Sequence, residues 1–154
     1  MSHFLARCLF VCGTLWTLPN TLLGLTVWVT LAPWGARARV VTGVVEIAGA
    51  PVRGFLSRFC GGAIGMTLGQ TVLSWTPATH ARARDHERVH VRQYLLWGPL
   101  FLPAYCLASA WIWFRGGDPY HGNPFEKQAY AVACIDPAVD DGLGGGCPEQ
   151  AEEK

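Results

Sequence analysis

From Cys8 to Trp34 the chain runs through 27 residues without a single charge, and about 20 such residues suffice to cross the hydrocarbon core of a bilayer. Exposing a segment of this kind to water is unfavourable unless something apolar covers it, so the rest of the chain must fold beside a membrane or around the segment. A secretory signal peptide is the competing reading. Its apolar core is only about 7–15 residues long and ends at a small-residue cleavage site, and this run has no such site. Pro19-Asn20 interrupts the run. Proline removes a backbone donor and crowds the preceding turn, so either one bent span or a short helical hairpin is expected. Composition agrees with a membrane protein, because 15% of residues are charged and 51% are hydrophobic, against about 25% charged in an ordinary soluble domain. A net charge of +1 gives no global basic field, which excludes nucleic acid as a partner. Six cysteines without a CxxC pair make neither a disulfide framework nor a cysteine zinc site.

The remainder has room for one domain. Within residues 35–76 the runs VVTGVVEIAGAPV and GMTLGQTVLSW, separated by the glycine-rich stretch Cys60 to Gly65, predict a small antiparallel sheet of two to four strands. A membrane-dipping segment within 59–75 is the alternative. Thr76-Pro77 opens a helix, and Ala78 to Tyr94, free of proline and glycine, continues it. A second uncharged stretch, Tyr94 to Phe114, carries Gly98-Pro99 and Pro103, and a further helix is expected from Pro124 to about Cys134. Six of the eleven acids and a Gly-Gly-Gly fall in 136–154, which reads as a flexible acidic tail. A chain ending near Ala138 is expected to fold. The fold class is an α+β membrane protein, with an anchor over 1–34, a domain over 35–135 that includes the apolar element 94–114, and the tail.

His86-Glu87-Arg88-Val89-His90 is an HExxH sequence on the predicted helix. At 3.6 residues per turn, His86 and His90 stack on one face and can aim ring nitrogens at one metal, with Glu87 beside them. Two imidazoles hold Zn²⁺, an open position holds water, and Glu87 takes the proton as the water attacks a carbonyl. The competing reading is a solvated helix face of Arg82, Arg84, Asp85, Glu87, Arg88 and Arg92. Arg84 and Arg88 also stand where uncharged residues are usual in peptidases. A catalytic zinc commonly takes three protein ligands, and Glu126 is the candidate for the third. Asn123-Pro124-Phe125-Glu126 equally reads as an N-cap whose glutamate closes a capping box.

HERVH followed by NPFEKQAY resembles the gluzincin arrangement, HExxH with a downstream glutamate in an ExxA context. The blocks LWTLPNTLLGL, HERVHVRQYLLWGPLFLPAY and DPYHGNPFEKQAY resemble a group of small bacterial integral membrane proteins, over roughly 15–34 and 80–130, from which no activity carries over. The gluzincin likeness implies zinc held by His86, His90 and Glu126, with Glu87 as general base and Tyr130 or His121 stabilising the oxyanion. His80 and Tyr120 are weaker candidates. Zincins also place an antiparallel strand along the cleft, where an extended substrate adds as one more strand, and GMTLGQTVLSW is the segment nominated for it. An ordinary core strand is the alternative.

Eight of the twelve Lys/Arg residues lie between the two apolar stretches, which puts that segment on the cytoplasmic side of a bacterial inner membrane. A single crossing by 94–114 would then strand Glu126 on the far side of the bilayer from HExxH. The expectation is therefore that Gly98-Pro99 and Pro103 break this stretch into a re-entrant or hairpin element, with Trp97, Tyr105, Trp111 and Trp113 at interfacial depth. The functional expectation is a membrane-anchored zinc peptidase cutting a peptide or membrane-protein segment. The alternatives are a non-catalytic membrane protein that keeps the metal or the fold for structure or binding, and a basic loop that binds anionic lipid head groups.

Overall fold

The computed structural model describes residues 3–133, with side chains from residue 11 onward. The tail over 136–154 lies outside the described residues.

One helix, α1 (His3–Leu31), carries the apolar run straight through Pro19, so the hairpin alternative is corrected to a continuous helix. Thr17 and Thr21 return their hydroxyls to the carbonyls one turn back. Asn20 neither caps a kink nor opens a second helix: its Nδ2 donates to the carbonyl of Gly98, 3.1 Å away. After a short 3₁₀ turn, Ala32–Trp34, come β1 (Arg37–Val41), β2 (Val44–Ala48), α2 (Ala50–Phe59), β3 (Gly65–Leu68) and β4 (Thr71–Ser74). The four strands form one sheet in the order β1-β2-β4-β3. Two hairpins are antiparallel, but β2 and β4 pair in parallel, with Val45 opposite Thr71 and Ala48 opposite Ser74.

The expected antiparallel sheet is thus corrected to a mixed one. The reason is α2, which was not anticipated: residues Ala50–Phe59 fold as a helix opened by Pro51 and carry the chain between β2 and the second hairpin, and parallel neighbours need a crossover of this kind. The β3–β4 hairpin also replaces the membrane-dipping alternative for 59–75. Val52 and Leu56 of α2 pack with Ile47 and Leu73 of the sheet, and Val27, Trp28 and Leu31 of α1 close the same core. The turn between β3 and β4 presses into α1, where a Cβ on Gly24 would overlap the side chain of Thr71. The apolar helix is therefore a wall of the domain as well as a candidate anchor.

Helix α3 (Pro77–Trp97) starts at Thr76, whose hydroxyl accepts from the Thr79 amide. It ends at Gly98, whose φ of 56° lies in the region that favours glycine. A 3₁₀ turn (Gly98–Leu100) leads into α4 (Phe101–Phe114). Gly98 leaves helical geometry, with φ 56° and ψ −135°, and the Tyr94 and Phe101 rings on either side of it meet at 4.4 Å. Gly98-Pro99 makes the break. Pro103 does not, because it lies in the first turn of α4, where no intrahelical donor is needed. Loop 115–123 then brings α5 (Pro124–Ala133) back against α3. Two segments, Val11–Trp34 and Pro77–Phe114, are long and apolar enough to cross a membrane. Trp97, Trp111 and Trp113 are exposed. The Tyr105 hydroxyl turns inward to Glu126.

Candidate metal centre

Helix α3 presents two buried faces. His86, His90, Gln93 and Tyr94 look toward α4 and α5, and His80 with Arg84 looks toward the sheet. On the first face, His86 Nε2 and His90 Nε2 lie 3.1 Å apart. Glu126 Oε2 lies 3.2 Å from the first and 3.4 Å from the second. These residues are the one group of three or more metal-ligating side chains among the described residues, their atoms all within 4.8 Å of one another. The spacing follows from helix geometry, which sets residues four apart on one face, and from the bend at Gly98, which lets α5 return to that face.

Glu126 does not close a capping box. The cap of α5 is Asn123, whose Oδ1 accepts from the Phe125 amide, while its Nδ2 donates to Tyr105 O and Ser109 Oγ. Glu126 is 3% exposed, and Tyr105 donates to its Oε1 at 2.7 Å. Burial by itself would raise the Glu126 carboxyl. The close imidazoles of His86 and His90 and the Tyr105 hydroxyl outweigh burial and hold it below the usual carboxylate range. Among the described residues its Oε2 has no hydrogen-bond partner, although a buried carboxylate oxygen ordinarily finds one. Two imidazole nitrogens and one carboxylate oxygen converging with that oxygen undonated are a donor set that suits a divalent transition metal. A His86-His90-Glu126 group therefore stands ready to hold a metal ion.

Glu87 lies next to this group, with its Oε2 accepting from the Thr67 hydroxyl on β3. A Cβ on Gly65 would come within 2.3 Å of Glu87 Oε1, so glycine is what permits the carboxylate to lie against this strand. β3 is an edge strand, which fits the nomination of GMTLGQTVLSW only for its first half, since Thr71–Ser74 pairs on both sides. Two adjoining cavities meet at His86 and Glu87. One of about 590 Å³ runs past Gly61, Gly65, Tyr120, His121 and Tyr130. The other, of about 260 Å³, is walled by Leu68, Tyr94, Phe101, Leu102 and Tyr105.

The remaining expected residues fall around the same cleft. The Tyr130 ring packs on His86 at 4.6 Å between centroids. His121 is exposed at the cleft wall, its Nδ1 2.8 Å from Asp118 Oδ2, and its ring stacks over Tyr130. Tyr120 lines both cavities. His80 is corrected: it belongs to the opposite face of α3, between Ser74 Oγ at 2.9 Å and Glu46 Oε1 at 3.3 Å.

Arg84 and Arg88, which looked misplaced in a hydrolytic motif, also serve that opposite face. Arg84 Nε donates to Glu46 Oε1 at 2.8 Å, and Arg88 donates to the carbonyls of Val41 and Thr42 in the β1–β2 turn. Arg39 completes the cage on Glu46. Burial would raise the Glu46 carboxyl, but the Arg84 hydrogen bond, the His80 charge and the Arg39 hydrogen bond together lower it. These arginines fasten the HExxH helix to the sheet, so the solvated-face reading holds for neither.

Sequence reading missed Tyr105, Thr67 and Gln93. Tyr105 looked like an interfacial ring, and Thr67 like one more strand residue. Only for Gln93 was there a signal, a lone uncharged polar residue three positions after the second histidine of the motif. No protein-family profile matches this chain, and no curated protein or solved structure is significantly similar to it.

Proposed function

We propose that this protein is a membrane-anchored zinc-dependent peptidase of gluzincin type, acting on a peptide or membrane-protein segment at the cytoplasmic face of a bacterial inner membrane. One observation carries the reading: the buried Glu126 Oε2, undonated, meets the two Nε2 atoms of an HExxH helix while Glu87 stands beside them at the meeting of two cavities. A structural zinc site is ordinarily closed by four ligands, and among the described residues three converge.

Zinc held by His86, His90 and Glu126 would supply Lewis acidity and lower the pKa of water. The rest falls to the chain. Glu87 receives the proton of the attacking water and passes it to the leaving nitrogen, oriented meanwhile by Thr67. Gly65 to Leu68 offer an unpaired strand edge to an extended substrate backbone. Tyr130 holds the His86 ring, and His121, steadied by Asp118, faces the larger cavity, from which either side chain would stabilise a developing oxyanion. The arginine-rich segment stays cytoplasmic by the positive-inside rule. A Phe101–Phe114 helix that turns back instead of crossing keeps Glu126 on the same side.

The test is zinc content and peptide hydrolysis of the detergent-purified protein beside Glu87→Gln. Wild type is expected to hold about one zinc per chain and to cleave, and Glu87→Gln to keep the zinc and the fold while losing at least about 100-fold in turnover, the usual scale of general-base catalysis. Hydrolysis that survives Glu87→Gln overturns Glu87 as the general base, and with it the gluzincin mechanism. Zinc without any hydrolysis in wild type leaves the metal-holding, non-catalytic alternative.

A further inference from the structure

Gln93 is a buried polar side chain, 3% exposed, that the reaction above leaves without a task. Its Nε2 lies 3.0 Å from the carbonyl of Phe125 and 2.8 Å from Gln128 Oε1, and its Oε1 lies 2.8 Å from His90 Nδ1. The donor and acceptor roles can be read from these contacts. A backbone carbonyl only accepts, so the amide nitrogen of Gln93 must face Phe125 and its oxygen must face His90. An amide oxygen only accepts, so Nδ1 of His90 carries a proton there, and in the neutral ring that ligates a metal Nε2 is the nitrogen with the lone pair. That Nε2 is the atom converging with His86 Nε2 and Glu126 Oε2.

We propose that Gln93 is a positioning residue for the metal centre, fixing His90 in the tautomer that ligates through Nε2. It does so while anchored to the first turn of α5, the helix that delivers Glu126. One side chain thus sets the state of a ligand on α3 and its distance from a ligand on α5. The inference rests on the metal-binding part of the reading above and not on hydrolysis. Partners of this kind around a metal-bound histidine are commonly carboxylates or carbonyls, and their loss typically weakens metal binding by about 10- to 100-fold.

The test is the zinc dissociation constant of the full-length protein in detergent, by competition with a chromogenic chelator, for wild type, Gln93→Leu, Gln93→Glu and Gln128→Ala. Gln93→Leu is expected to weaken zinc about 10- to 100-fold. Gln93→Glu keeps an acceptor for the Nδ1 proton and loses amide donation to α5, and it is expected to stay within about threefold of wild type. Gln128→Ala removes one strut to α5, leaves the His90 contact alone and is expected to leave affinity unchanged. If Gln93→Glu and Gln93→Leu weaken zinc equally, Gln93 is only a strut between helices and the proposal falls. If Gln93→Leu binds zinc like wild type, it falls as well. A wild type that binds no zinc removes the metal reading itself, an outcome distinct from either of these.

Discussion

Two buried glutamates flank α3, and they are treated oppositely. Glu46, 2% exposed, is donated to on both oxygens by Arg39 and Arg84 and also faces His80. Glu126, 3% exposed, takes one hydrogen bond, from Tyr105, and turns its other oxygen to two imidazole nitrogens. Both sit against histidines of one helix, so proximity of histidine to carboxylate does not distinguish them. Saturation does. A carboxylate caged by guanidinium groups has its charge and lone pairs met within the chain and serves as a clamp. A carboxylate left with an undonated oxygen in a cluster of nitrogen ligands serves best as part of a cation site.

The largest effect should come from exchanging the damage between the two. Glu126→Ala is expected to lose zinc binding at least about 100-fold while Glu46→Ala keeps about one zinc per chain and loses about 2 kcal/mol of stability, the scale for hydrogen bonds to a charged group. Elemental analysis and denaturant melts read both. Chelation should sharpen the contrast, since zinc at 100 times its dissociation constant stabilises by about 2.7 kcal/mol and Glu126→Ala should not respond. Loss of zinc by folded Glu46→Ala would break the division.

A smaller effect is expected with pH. The Glu46 carboxyl is held below its ordinary value of 4.5, so the folded state binds the proton less readily than the unfolded chain. Its contribution to stability is therefore complete above that value and is lost as the pH falls through the lowered one. The stability difference between wild type and Glu46→Gln should be flat at neutral pH and shrink only below 4.5. A difference that grows on acidification would contradict the cage. Smallest of all, Arg88→Ala should cost about 1 kcal/mol, for hydrogen bonds to two turn carbonyls, and leave zinc affinity unchanged. A change in affinity would mean that the sheet-side face of α3 feeds the metal side.

Much of this was legible in the sequence. The apolar run, the proline- and glycine-free HExxH helix and the helix bearing Glu126 are local patterns, and their elements appear within a few residues of where periodicity and capping put them. The parallel pairing of β2 with β4 was not legible, because it depends on α2, whose Gly54 and Pro51 made a short helix resemble a continuation of the strand. The ambiguity at Glu126 between cap and ligand was likewise irreducible, since Asn123 satisfies the cap by itself only once the chain has folded.

The sequence by itself determined which segments are apolar enough to cross a membrane, that two histidines and a glutamate share a helix, and that an acidic candidate for the third ligand was at hand. Those facts follow from composition and from the 3.6-residue repeat. Only the tertiary structure decided that Gly98 turns the chain so that Glu126 meets the histidines, that Arg84 belongs to Glu46 and Arg88 to the β1–β2 turn, and that Gln93 reaches His90. Each of these joins residues from separate elements, and a hydrogen bond of about 3 Å between such residues is settled by packing, which no local pattern encodes.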